Sequence, residues 1–319
     1  MSTIVALDPG FGNTKVASEG KVYVLQSAVA RPREIGMAAK GLETQARPQT
    51  VTLASGISFV AGSGAWAWGE PLSTLDFNDL TSPQRLALFY TALSHLLPPG
   101  EHVIDLLVVG LPVPLLQDEL QAKAVLEGLG QYKTDHKFSV DGKEYALQVK
   151  KLTALPQPVG AYADWMLTAE GHLRQGGMNA EVAILDIGMN TLDLYVIQGW
   201  KVAPRFIGGG KLGIRRLLEN LNPSGRDLEE LDSALRAGSL QPTVEQKTAW
   251  LGAILGNVER TWSSLRRFDA VIPTGGGAVV LGELLRSALA AKGAAVHWPA
   301  DPVTANVVGF YKWGCRVHH

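Results

Sequence analysis

Leu7-Asp8-Pro9-Gly10-Phe11-Gly12-Asn13-Thr14-Lys15 follows the apolar run Ile4-Val5-Ala6 and leads into Val16-Ala17-Ser18. The pattern predicts a strand ending in an acid, a tight turn with two glycines, and a returning strand. Glycines at such a turn let successive backbone N–H groups converge on an anion, and phosphate is the natural occupant. Thr14 adds a hydroxyl and Lys15 a point charge for phosphate oxygens, with Gly10, Gly12 and Asn13 as turn contacts. Asp8 is placed to hold a water-clad Mg²⁺, which takes few direct carboxylates. Taken alone, the same residues also describe an ordinary Asx-type hairpin turn.

A second stretch, Leu185-Asp186-Ile187-Gly188-Met189-Asn190-Thr191, repeats the order of a strand-end acid, a glycine two residues on, and Asn-Thr. The Asn-Thr pair is offset by one residue between the two copies. Asp8 and Asp186 lie 178 residues apart, about one domain, so the simplest organisation is two lobes each giving one turn to a shared site. Gly188, Asn190 and Thr191 then face a phosphate from the second side, Asp186 joins Asp8 at the metal, and Asp193 is either a surface strand residue or a support for the turn.

Two more glycine turns follow apolar runs. Pro273-Thr274-Gly275-Gly276-Gly277 separates the strand Ala270 to Ile272 from a helical pattern at Val279 to Ala291, so Gly275, Gly276 and Gly277 offer bare backbone to a flat ring or a phosphate. Gly208-Gly209-Gly210-Lys211 precedes another helical pattern and places Gly209 and Gly210 near a nucleotide or ribose. Neither turn has the Gly-x-Gly-x-x-Gly of a dinucleotide fold or the Gly-Lys-Ser/Thr of a P-loop.

Strand-like runs at Lys21 to Leu25, Leu106 to Val109, Val182 to Leu185 and Leu192 to Ile197 alternate with helical patterns at Gln84 to Leu97 and Lys247 to Arg267. Helix–strand alternation with hairpins argues for an α/β protein with mixed sheets. At 319 residues and 46% hydrophobic, the chain can bury two cores. A net charge of -1 gives no global field for nucleic acid or anionic membrane, leaving only local pairs such as Arg215-Arg216 and Arg266-Arg267. Cys315 is the only cysteine, which excludes an intramolecular disulfide and fits a reducing compartment. An acid after five residues is incompatible with a secretory leader, and Val103 to Leu116 is too short and interrupted for a membrane span.

The order of a phosphate turn at Asp8 to Lys15, a connecting segment at Leu155 to Ala163, a second phosphate turn at Asp186 to Asp193 and a glycine turn at Gly275 to Gly277 resembles the actin, sugar kinase and chaperone ATPase superfamily. Within it, Asp8-Pro-Gly-Phe-Gly-Asn-Thr-Lys15 and the tail Asp301-Pro-Val-Thr-Ala-Asn-Val-Val-Gly-Phe-Tyr311 resemble ParM/StbA-type actin-like proteins of plasmid segregation. The resemblance implies a two-lobed actin-like fold, each lobe a ribonuclease H-like mixed sheet flanked by helices, with the nucleotide cleft between them. It implies lobe I at 1–160 plus 300–319 with an outer subdomain near 23–68, and lobe II at 161–299 with one near 218–247. It further implies an ATPase using Mg²⁺ and ATP, or else GTP, whose filaments grow with nucleotide and loosen after hydrolysis. Gln157 falls where such proteins orient the attacking water; ParM-type members commonly carry Glu there and actins Gln. An amide can aim water but cannot take its proton. The expected partners are other copies of the chain and a DNA-bound adaptor, in the cytoplasm, without direct nucleic-acid or membrane binding. The competing readings are a small-molecule kinase or phosphatase on the same scaffold, and a nucleotide-bound scaffold that does not hydrolyse.

Overall fold

The computed structural model describes residues 3–33, 47–72, 82–222 and 224–318. Three sheets organise them. The first runs in the order Leu152–Pro156, Leu106–Leu111, Ile4–Pro9, Asn13–Ser18, Lys21–Gln26. Its first three strands are parallel and the rest antiparallel. Ile4–Pro9 and Leu106–Leu111 are covered on both faces, which is why they read as continuous apolar runs with no alternation.

The corresponding sheet of the second lobe has Lys201–Val202, Leu192–Gln198, Val182–Ile187 and Ala270–Thr274 in that order, with Gly208–Gly210 also paired to Leu192–Gln198. Again a hairpin is followed by a parallel neighbour. The internal similarity of the sequence is therefore a repeated strand hairpin. In register, Asp8 faces Lys15 and Asp186 faces Asp193.

The remaining sheet has seven strands, with Val29–Ala30, Ser58–Ala61 and Gln49–Leu53 beside Asp135–Val140, Lys143–Val149 and Gly100–Ile104. The segment 23–68 thus supplies only part of this sheet, and its residues 34–46 lie outside the described residues. The helix Pro83–Leu93 packs behind it, opened by Ser82, whose side chain accepts from the Arg85 N–H, with proline at the first turn. It ends four residues before the predicted Leu97, with the Ser94 hydroxyl donating to the Thr91 carbonyl.

Two helix boundaries differ from their patterns for local reasons. Val244–Thr261 begins three residues early because Thr243 and Gln246 form a reciprocal capping box. The glycine turn is itself helical, Gly275–Leu281, and Gly282 at φ 51° separates it from Glu283–Ala291.

The helix Ala305–His318 returns to the first sheet, where Val307, Phe310 and Cys315 join Ile4, Ala6 and Val108 in one core cluster. It crosses Gln157–Met166 at glycines. A Cβ on Gly309 would sit 1.7 Å from the Gly160 carbonyl oxygen, and one on Gly160 would sit 2.4 Å from that of Asn306. No side chain fits at this crossing.

Candidate functional site

The acid-ended hairpins of both lobes open onto one cavity of about 480 Å³. Asp8, Gly10, Gly12, Asn13 and Lys15 line it from the first hairpin, and Asp186, Gly188, Asn190 and Thr191 from the second. Gly275 and Gly276 add a third side, and Gln157 reaches in from the first turn of its helix.

Asp8 is fully buried and held by two donors: Lys15 Nζ lies 2.7 Å from Oδ2 and Gln157 Nε2 lies 2.7 Å from Oδ1. Asp186 receives Asn306 Nδ2 on Oδ2 at 2.7 Å. Burial pushes the Asp186 carboxyl above its ordinary range, and the proximity of Asp8 adds to the rise while Asn306 and Lys15 oppose it. Asp193, opposite Asp186, is pushed up to about 7 by burial and then by Asp186, although the Thr191 hydroxyl donates to it at 2.9 Å. The register position that holds a cation in the first hairpin holds a second acid in the other. Asp193 is a buried support of the turn and lines the cavity.

The first turn is pinned from behind by its carbonyls. Ser27 Oγ and Arg85 Nη1 donate to the Gly10 carbonyl at 2.7 and 3.1 Å, and the Ser27 N–H donates to that of Gly12 at 3.0 Å. Thr14 is placed differently from its neighbours. Strand alternation turns it away from Asn13 and Lys15, its hydroxyl lies 3.0 Å from Ser27 Oγ, and it does not line the cavity.

Three further glycines do not line the cavity, and two of them, Gly209 and Gly277, leave no room for a side chain. Gly209 pairs within the sheet, where a Cβ would lie 2.1 Å from the Leu192 carbonyl oxygen, and Gly210 pairs opposite Leu192. A Cβ on Gly277 would lie 2.2 Å from Ile187 Cγ2.

Several lining groups escaped the sequence reading. The helix Leu228–Arg236 closes the cavity mouth from the second lobe. Arg236 Nη1 donates to Asn13 Oδ1 at 2.7 Å while its Nε is paired with Asp232 at 2.7 Å. Gln26, on the first lobe, donates to Ser233 Oγ at 2.9 Å and to Asp232 Oδ2 at 3.2 Å. Leu235, Leu240, Pro242, Val279 and Val280 form an apolar wall suited to a flat ring beside the polar end. Asn306 lay in the quoted tail, Val279 and Val280 at the start of a named helical pattern, and the residues from Asp232 to Pro242 within an expected outer subdomain, none of them marked there as a site residue.

Among the described residues there is no cluster of three or more His, Cys, Asp or Glu that could hold a metal ion. Asp8 and Asp186, two of the buried carboxylates that line the cavity, with Asn306 Oδ1 buried and without a hydrogen-bond partner among the described residues, make a sparse, oxygen-only set. That set fits Mg²⁺, which keeps most of its waters.

Residues 6–160 match the family model described as actin like proteins N terminal domain. No curated protein matches the chain. Among solved structures, an apo psk41 ParM protein superposes with a TM-score of 0.75 at 16% identity, covering 99% of this chain and 98% of the other. Ta0583, an archaeal actin homolog in complex with ADP, gives 0.72 at 20% identity over 99% and 100%. A 15-stranded ParM filament from Clostridium botulinum gives 0.72 at 16% over 98% and 99%. Residues 6–160 thus match an actin-like N-terminal domain, and along its length the chain has the actin-like two-lobed fold.

Proposed function

We propose that this chain is a nucleotide-dependent filament protein that binds Mg-ATP between its lobes, polymerises with it and loosens after hydrolysis, in plasmid or other DNA segregation or as a cytoskeletal element. The observation that carries the reading is that acid-ended hairpins from both lobes line one cavity of nucleotide size. The similar structures support self-association, since two of them are of filaments, and ADP in Ta0583 supports the choice of ligand.

In this reading Asp8 and Asp186 hold the cation through water, and Lys15 with the N–H groups of both turns balances phosphate charge. Mg²⁺, when bound, supplies charge neutralisation at the phosphate oxygens. Gln157, anchored on Asp8, keeps its amide oxygen to accept a hydrogen bond from the attacking water and aim it at the terminal phosphorus. Gly275 and Gly276 with the apolar wall take the base. Loss of the terminal phosphate removes a bridge between the lobes and shifts the population toward a cleft angle that packs less well in a filament.

We place lobe I at 1–160 with 300–319, supported by the packing of the last helix on the first sheet, and lobe II at 161–299, with outer subdomains around 23–68 and 218–247. Cellular cargo is reached through a DNA-bound adaptor. The net charge and the pairing of Arg215 with Glu219 and of Arg267 with Glu181 support a chain that does not bind nucleic acid itself. Among the described residues no helix is long and apolar enough to cross a membrane, and we assign the protein to the cytoplasm.

The test is sedimentation and light scattering with Mg-ATP, Mg-GTP and no nucleotide, with phosphate release followed in parallel. The expected result is assembly above a critical concentration with ATP, phosphate release that rises with assembly, and loss of both in Asp8→Ala with Asp186→Ala. Turnover that needs a small-molecule acceptor and no assembly would replace the filament by a kinase, and assembly without phosphate release would leave a scaffold.

A further inference from the structure

Gln157 and Asn306 occupy matching places. Each lies in the first turn of one of the two helices that cross at Gly160 and Gly309, and each donates its side-chain N–H to one cavity acid at 2.7 Å. Gln157 takes Asp8 and Asn306 takes Asp186. The Asn306 bond is the more demanding one, because it joins a helix packed on the first sheet to a carboxylate of the second.

We propose that Asn306 is a positioning residue for the cation-binding carboxylate of lobe II, and that its side-chain oxygen accepts a hydrogen bond from cation-bound water. Three observations support this. The residue is 5% exposed and lines the cavity. With Nδ2 committed to Asp186, Oδ1 is buried and has no hydrogen-bond partner among the described residues. A buried acceptor left without a donor forfeits its hydration with nothing in return, so a bound donor at that position is favoured over none.

The backbone fixes where this amide stands. The Gly160 backbone meets the Asn306 carbonyl with no room for a Cβ, so the start of the last helix is seated directly on Gln157–Met166. The Gly275 N–H, donating to the Pro302 carbonyl at 2.8 Å, ties the segment before the helix to the third side of the cavity. A neighbour that orients a ligating carboxylate typically changes metal affinity by about 10- to 100-fold when removed.

The inference rests on the proposed nucleotide site, and its test separates the two. A fluorescent ATP analogue is titrated onto the wild type, Asn306→Ala and Asp186→Ala, with Mg²⁺ and again with EDTA. In Asn306→Ala, affinity in Mg²⁺ is expected to fall about 10- to 100-fold, while affinity in EDTA moves less than about threefold. A wild type that binds no nucleotide would sink the site itself. A wild type whose Mg²⁺ dependence survives in Asn306→Ala, or a loss that is equal with and without Mg²⁺, would overturn the role of Asn306 and leave the site standing. Should Asn306→Ala not fold, the side-chain amide resonances of Asn306 in the wild type serve instead. They shift when Mg²⁺ is added to the ADP-bound protein if the proposal is right, and an unmoved pair overturns it.

Discussion

Backbone contact at single residues sets the tightest constraints. With a Cβ on Gly309 only 1.7 Å from the Gly160 carbonyl oxygen, Gly309→Ala must push the two helices apart. We expect a loss of about 1–3 kcal/mol in urea unfolding, with a larger loss of Mg-nucleotide affinity than of stability, since Gln157 and Asn306 ride on those helices. An unchanged midpoint would mean that the crossing is not held by this contact. Asp193 makes a second expectation. Its folded carboxyl is raised to about 7 by burial, above its ordinary value of 3.8, so the folded state holds a proton that the unfolded chain has lost. Its stabilising effect is fully present below about pH 3.8 and is lost progressively as pH rises to about 7. The melting temperature of metal-free Asp193→Asn should therefore gain on that of the wild type between about pH 4 and 7 and run parallel to it above; a constant difference throughout would refute the assignment.

At the scale of elements, the helix Leu228–Arg236 touches the opposite lobe through a small set of hydrogen bonds. Gln26 reaches Asp232 and Ser233, and Arg236 reaches Asn13. These bonds break if the cleft opens, so they contribute to the barrier for nucleotide exit. Gln26 does not line the cavity, and Gln26→Ala removes its bonds without touching the ligand. Chase of a fluorescent nucleotide should be about 5- to 10-fold faster in Gln26→Ala, given about 1 kcal/mol for exposed or half-buried hydrogen bonds, with the turnover number little changed. A release rate equal to wild type would show that exit follows another path. The helix Val244–Thr261 is held by local rules, and Thr243→Ala should cost about 1 kcal/mol through its capping box, read by thermal unfolding.

For the whole molecule, buried groups of opposite kinds give opposed dependences of stability on pH. His136 is buried, with Tyr90 Oη at 2.7 Å from Nδ1 and the Tyr132 carbonyl at 3.1 Å from Nε2. Burial lowers its basicity, so the unfolded chain binds its proton first and stability falls as pH drops below about 6.5. Asp193 acts in the opposite sense between about pH 3.8 and 7, so below about pH 6.5 the two slopes oppose each other. Scanning calorimetry in EDTA is expected to show a steeper loss of melting temperature on acidification below about pH 6.5 in Asp193→Asn than in the wild type, and equal slopes would contradict this opposition.

Much of this was legible in order along the chain. The apolar run before Asp8, its copy before Asp186 and the glycines after each specify two strand hairpins, because strand period and turn chemistry are local properties. Helix starts were readable at Ser82 and unread at Thr243, where the cap lies outside the apolar periodicity. The placement of Thr14, Gly209, Gly210 and Gly277 was not legible. A glycine or hydroxyl required by close packing is written like one required by a ligand, and only its neighbours distinguish the two. Asn306 on Asp186 and Gln26 on Ser233 join residues 120 and 207 positions apart. The sequence alone determined which segments end in acids and glycines. The tertiary structure decided which of their polar atoms share a cavity, because that convergence depends on how sheets and crossing helices pack and leaves no periodic trace along the chain.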